Sequence, residues 1–287
     1  MSDPRYIFTV TNGRSAQASF SKILSESLKS SYVAFEEPQI NTFFSGFIGD
    51  LERKFRRLFI ETHELLGRGK VLTSYSNGDY DYIDCIVNKR LYSINNFMRI
   101  NNKNTYIDVS KYFSRGLHYS YMKSFDKVSL IHLVRDPIAN MRSFVNRNKI
   151  FLLDNNLPDE KSNLFTLNSS NLKKEEFYLW SWVETYLRYE KLKKYSNVES
   201  YTEVRSEKID DAHYLGSKLD DLNIEYKNIF KLSDRVNTNA QKGFQKTVVS
   251  KSDILLFNKF LEKVPNNLLK LIPYLDDYDP YVVHEFK

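Results

Sequence analysis

Gly13, Arg14 and Ser15 stand directly after an apolar run, Tyr6-Ile7-Phe8-Thr9-Val10, and Ser19 follows shortly. Far along the chain a second apolar run, Leu130-Ile131-His132-Leu133-Val134, leads into Arg135-Asp136-Pro137, with Ser143 eight residues after Arg135. Each segment delivers a guanidinium and a hydroxyl where a strand gives way to a helix. Backbone N–H groups converge there on a phosphate-like oxygen, and the guanidinium adds charge-assisted hydrogen bonds. Two such places in one chain suit a ligand with two anionic ends.

The elements that must position these groups can be read from periodicity. Strand and helix patterns alternate, which predicts an α/β fold with a central parallel sheet flanked by helices. Strands are expected at Tyr6–Val10, Tyr32–Phe35, Thr105–Val109, Val128–Val134 and Val198–Tyr201. The run at 128–134 is apolar throughout, as suits a central strand covered on both faces. Helices are expected at 19–29, with Phe20, Ile23, Leu24 and Leu28 on one face. A second is expected at 43–66, where Leu51, Phe55, Leu58, Phe59 and Leu65 are spaced for burial. Others are expected at 79–100 (with a break), 114–123, 137–146, 175–193, 210–222 and 252–264. Asp136 fits the N-cap and Pro137 the first position of the 137–146 helix. Residues 148–173 lack periodicity and suggest a substrate loop. No repeat, linker or boundary divides residues 1–287, so a single domain is expected.

The chain has 287 residues, 41% hydrophobic and 27% charged, within the range of globular proteins. The formal charge is +6. Its cations are interleaved with acids rather than gathered in a stripe, which argues against a nucleic-acid module and suits an anionic ligand. Arg53-Lys54-Phe55-Arg56-Arg57 reads as a solvated helix face. The lone cysteine, Cys85, excludes an intrachain disulfide and a cysteine-based zinc site, and reads as a buried small hydrophobe. No His/Asp/Glu spacing points to a metal. His132 reads as a core residue, and His63 and His118 as surface residues. No signal sequence and no apolar run of about 18 residues is present, so a cytoplasmic protein without a transmembrane segment is expected. Peripheral contact with a membrane surface is left open. A Walker A loop would place Gly and Lys at 18 and 19, where this chain has Ala18 and Ser19. An ordinary P-loop ATPase is therefore disfavoured, and the absence of a Gly-x-Ser-x-Gly elbow argues against a serine hydrolase.

These residues resemble the sulfotransferases that use 3′-phosphoadenosine 5′-phosphosulfate (PAPS). Gly13-Arg14-Ser15-Ala16-Gln17-Ala18-Ser19 is similar to that family's 5′-phosphosulfate loop, and Val134-Arg135-Asp136-Pro137 with Ser143 to its 3′-phosphate site. Residues 5–30 and 104–147 carry the resemblance. The helix with Trp180 and Trp182 and the Tyr201-Thr202-Glu203 segment extend it. Three positions depart from the family: its second Gly is Ala16, and its hydroxyl pair is Gln17 and Ala18. Ala16 would resist a positive φ angle.

The resemblance implies a P-loop-like sulfotransferase architecture, PAPS as co-substrate, no metal and no covalent enzyme intermediate. Sulfuryl transfer would need positioning, cations at the developing charge and a base for the acceptor hydroxyl. Arg14 would stabilise the leaving 5′-phosphate. Glu36 or Glu37, beyond the second strand, is the first candidate base, with a solvated loop as the alternative. Asp108 is the second candidate, with Lys111 as charge stabiliser and a structural salt bridge as the alternative. Lys242 and Gly243 resemble a late segment that helps hold the 3′-phosphate, and Tyr201 is a candidate for stacking on adenine. A glycan or glycolipid acceptor follows by analogy alone. The alternatives are a catalytically silent relative that binds an anionic ligand or partner, and a small-molecule kinase.

Overall fold

The computed structural model describes residues 4–36, 44, 46–55, 70–147 and 161–285. Five parallel strands form one sheet: β1 (Arg5–Thr11), β2 (Ser31–Phe35), β3 (Thr105–Val109), β4 (Val128–Val134) and β5 (Val198–Arg205), in the order β2-β3-β1-β4-β5. The helices are α1 (Gln17–Ser27), α2 (Gly46–Phe55), α3 (Val71–Asn77), α4 (Tyr80–Ile100), α5 (His118–Ser124), α6 (Pro137–Val145), α7 (Lys174–Leu192), α8 (Ala212–Asp220), α9 (Lys251–Leu261), α10 (Asn266–Leu269) and α11 (Pro280–Val283). The chain is thus α/β, with a central parallel sheet flanked by helices.

The sheet is covered on both faces because its strands alternate between two apolar cores. Ile7, Ile107, Ile131 and Leu133 meet Phe20, Ile23 and Leu24 of α1 and Leu215 and Leu219 of α8. Phe8, Val10, Tyr106 and Leu130 meet Ile83, Ile86 and Val87 of α4, Tyr121 of α5 and Tyr189 of α7. A third cluster joins α6, α7 and α9 through Met141, Trp180, Trp182, Phe257 and Phe260.

Strand order places the site. From β1 the chain leaves through α1 toward β2, on one side of the sheet. From β4 it proceeds to β5, on the other. β1 and β4 are neighbours, so their carboxyl ends flank the crevice where connections diverge, which is where open α/β sheets bind ligands.

Several sequence expectations are corrected. The 79–100 helix is continuous, and β5 runs on to Arg205. Cys85 is exposed: α4 buries Ile83, Ile86, Val87, Arg90 and Ile94, and Cys85 lies off that stripe despite its apolar neighbours. His118 is buried, because α3 packs over the Phe113–Leu117 turn that leads into α5. Its Nδ1 lies 3.0 Å from the Phe113 carbonyl and its ring stands edge-on to Tyr75. Burial pushes its pKa down to about 3, so it is neutral. Leu51 and Phe55 are exposed on α2, as are Phe47 and Ile48, where their helical spacing suggests burial. Leu58, Phe59, His63 and Leu65 lie outside the described residues. In the 148–173 segment only 161–173 is described; it is irregular apart from one short turn at Ser169–Asn171.

Candidate active site

The turn after β1 is built by two asparagines. Asn12 Oδ1 accepts from the Gly13 N–H at 2.9 Å and from the Ser181 hydroxyl of α7 at 3.1 Å. Its Nδ2 donates to Asn140 Oδ1 at 3.1 Å. Asn140, fully buried on α6, donates in turn to the Gly13 carbonyl at 2.9 Å and to Ser15 Oγ at 3.2 Å. Gly13 is required by close approach: a Cβ there would stand 2.8 Å from Phe144 Cζ. Neither asparagine was singled out by the sequence, since each looks like an ordinary loop or helix polar residue.

Arg14 and Ala16 both take left-handed φ angles, 67° and 58°. Ala16 is the N-cap of α1 and offers no side-chain cap, and no acidic residue occupies the first turn. The first N–H groups of α1 are thus open to an anion. Gln17 points the same way: it is 7% exposed, and its Nε2 has no hydrogen-bond partner among the described residues. An unpaired buried amide donor beside an uncapped helix start fits a phosphate or phosphosulfate group. Ser19 is spoken for, its Oγ accepting from the Val236 N–H at 3.0 Å, and Ala18 brings no hydroxyl. Ala16→Gly should relieve a left-handed alanine, about 1–2 kcal/mol, less the added chain entropy of glycine, about 0.5–1 kcal/mol. A rise in Tm of about 1–3 °C in thermal unfolding is the expected result.

The second half of the site closes onto the first. Arg135, at the end of β4, donates through Nη1 to the Arg14 carbonyl at 2.9 Å. Asp136 caps α6 by accepting from the Ala139 N–H at 2.7 Å, and its carboxylate also takes the Tyr278 hydroxyl. Trp182 Nε1 donates to the Arg135 carbonyl at 2.8 Å, fixing the strand end against α7. Ser143, 1% exposed, accepts from Arg14 Nε at 3.3 Å. The Arg14 guanidinium is therefore turned to Ser143 and also to Asn239 Oδ1, at 2.7 Å. Arg147, just beyond α6, donates to the same Asn239 oxygen at 2.9 Å. Burial, then Arg147 and Arg135, lower the Arg14 pKa to about 10. Arg147 and Asn239 escaped the sequence reading, although Arg147 stands four residues after Ser143, the spacing that puts side chains on one helix face.

The late segment packs against the end of α6. The Asn239 amide donates to the Ser143 carbonyl at 3.1 Å, and Asn146 donates to the Lys246 carbonyl at 3.1 Å. Lys242 and Gly243 are exposed in this segment, Gly243 with φ of 73°. Tyr201 is a correction. It pairs in register with Leu130, four residues before the end of β4, hence roughly 13 Å back from the crevice. Its ring lies near Tyr189 and under Lys193, so the structure does not bring it to the turn.

Of the candidate bases, Glu37 lies outside the described residues. Glu36 follows β2 with a left-handed φ of 63°, and its carboxylate is 4.0 Å from Lys111 Nζ. Asp108 has no exposure and faces Arg90 of α4 at 3.6 Å, so it is the structural ion pair rather than a group that reaches an acceptor. Arg90 also donates to the Glu36 carbonyl at 3.1 Å. Burial pushes the Asp108 carboxyl up to about 6 while Arg90 holds it back. His132 is buried on β4, its Nδ1 3.4 Å from Glu203 and its ring stacked on Tyr189. Among the described residues, no cluster of three or more His, Cys, Asp or Glu side chains is placed to hold a metal, and no helix is long and apolar enough to cross a membrane.

No protein-family profile matches the chain, and no curated protein does. Among solved structures, the sulfotransferase domain from the Synechococcus PCC 7002 olefin synthase matches at 14% identity and a TM-score of 0.45, covering 92% of this chain and 98% of that one. The sulfotransferase domain from the curacin biosynthetic pathway matches at 12% identity and a TM-score of 0.44, covering 90% of this chain and 98% of its own. Both carry the name of the family that the Gly13–Ser19 and Val134–Pro137 segments resemble. At this distance neither likeness decides the activity.

Proposed function

We propose that this protein is a sulfotransferase that moves a sulfuryl group from PAPS to an acceptor hydroxyl. One observation supports the reading above the others: Arg135 and the Gly13 turn, distant in sequence, open on the same crevice and are joined by a hydrogen bond. The open start of α1 and the Gln17 amide suit the 5′-phosphosulfate, and Arg135 and Ser143 suit the 3′-phosphate. In the transfer the acceptor oxygen attacks sulfur as the bond from sulfur to the 5′-phosphate oxygen breaks. The acceptor proton passes to a base, for which Glu36, 4.0 Å from Lys111, is the candidate carried forward from the sequence. The nucleotide product is 3′,5′-adenosine bisphosphate. A glycan or glycolipid hydroxyl is one acceptor class to test, beside other alcohols.

Calorimetry with 3′,5′-adenosine bisphosphate tests the reading. The folded protein is expected to bind it, and Arg135→Ala to weaken binding by about 100-fold through lost charge-assisted bonds. Undetectable binding at millimolar ligand refutes the reading. Labelled PAPS offered with an acceptor panel then separates an enzyme from a silent relative, the second reading that Gln17 and Ala18 favour because they replace the family's hydroxyl pair.

A further inference from the structure

Arg14 and Arg147 share their acceptors in an unusual way. Both donate to Asn239 Oδ1, at 2.7 and 2.9 Å, and both reach the Asn237 carbonyl at 3.4 Å. Arg14 adds Ser143 Oγ. All these acceptors are neutral, and no carboxylate pairs with either guanidinium among the described residues. The neighbouring charges that act on Arg14 are Arg147 and Arg135, both of its own sign. Nearby Arg142 shows the ordinary alternative, since it pairs with the Asp253 carboxylate.

Holding like charges together on neutral oxygens costs stability unless an anion joins them. The cost falls beside Ser143 and under the 235–246 segment, whose Phe244 ring lies against Arg147 at 5.1 Å. A phosphate dianion presents several acceptor oxygens in one place and matches two guanidiniums better than it matches one.

We propose that Arg14 and Arg147, set by Asn239, form the two-guanidinium clamp that selects a 3′-phosphorylated nucleotide, so that Arg14 serves the 3′ end of the ligand rather than the leaving 5′-phosphate. This rests on the PAPS reading. Arg135 then has a second role, holding the turn in place through the Arg14 carbonyl. Arg147 is the residue that distinguishes 3′,5′-adenosine bisphosphate from adenosine 5′-monophosphate.

The test is calorimetry with both nucleotides on the full chain and on Arg147→Gln and Asn239→Asp, with thermal unfolding of each. The wild type is expected to prefer the bisphosphate. Arg147→Gln should weaken the bisphosphate by about 10- to 100-fold and leave the monophosphate unchanged, without lowering Tm. Asn239→Asp places a carboxylate between the guanidiniums and gives up the amide that donates to the Ser143 carbonyl, so it should weaken the bisphosphate alone, whatever its Tm. If both variants weaken the two nucleotides equally, or leave the bisphosphate untouched, the clamp is wrong while the PAPS reading stands. If the wild type binds neither nucleotide, both fall together.

Discussion

Arg90→Leu lowers the free energy of unfolding by about 3–5 kcal/mol at pH 8, and the loss shrinks as the pH falls to 5. Arg90 and Asp108 are both without exposure, 3.6 Å apart. Removing the guanidinium leaves a carboxylate in the core with its desolvation penalty uncompensated. In the wild type the Asp108 pKa stands at about 6, raised by burial above about 3.9 in the unfolded chain. The contribution of this group to stability is therefore fully present below about pH 4 and is lost as the pH rises through 6. Without Arg90 the folded pKa climbs further, so more is lost at pH 8. At pH 5 the carboxyl is largely protonated in both proteins, and the gap narrows to lost packing and the lost bond to the Glu36 carbonyl. Adding Asp108→Asn to Arg90→Leu should recover part of the deficit at pH 8. Denaturant unfolding at the two pH values measures this, and an equal loss at both would show that the ion pair is not the cause.

That pair also shows which parts of the molecule were legible beforehand. Arg90 falls on the apolar stripe of α4 with Ile83, Ile86, Val87 and Ile94, a position where an arginine must find a buried partner. The stripe is visible in the sequence, but the partner is not, because nothing in α4 says which residue of the following strand will face it. Asp108 could be read equally as a base or as half of a salt bridge, and only its complete burial separates the two. His118 erred for a similar reason. Nothing local announces that α3 folds over it, and α3 is a short helix without an apolar signature long enough to be found.

The strand end at Val134 was legible, and that of β1 to within one residue (Val10 expected, Thr11 found), because each apolar run stops at polar punctuation, and Asp136-Pro137 names its own helix start. The left-handed geometry at position 16 was anticipated as a difficulty, yet the chain adopts it with alanine, at φ of 58°. The direction of the Arg14 side chain was not legible. It depends on Ser143 and Asn239, 129 and 225 residues away, and spacing within the turn carries no information about either.

The same limit governs the turn itself, and there it predicts an ordering of mutants. Asn140→Asp keeps the oxygen that accepts from Asn12 but replaces the amide that donates to the Gly13 carbonyl and Ser15 Oγ. A carboxylate oxygen would then face a carbonyl oxygen inside the core, with an added negative charge beside the proposed anion site. Each buried group left without a partner costs about 1–3 kcal/mol, more where charge is involved. A loss of about 3–5 kcal/mol in stability is the expected result. Binding of 3′,5′-adenosine bisphosphate should also fall, by at least about 100-fold, because the turn that presents the N–H groups is no longer held and the new charge repels the ligand. Asn12→Asp should be milder. It keeps the oxygen that accepts from the Gly13 N–H and the Ser181 hydroxyl, and although its new carboxylate oxygen faces Asn140 Oδ1, both Asn140 bonds to the turn remain. Thermal unfolding and calorimetry on the two variants decide the matter: if Asn12→Asp proves as damaging as Asn140→Asp, the Gly13 carbonyl is not the point at which α6 holds the turn.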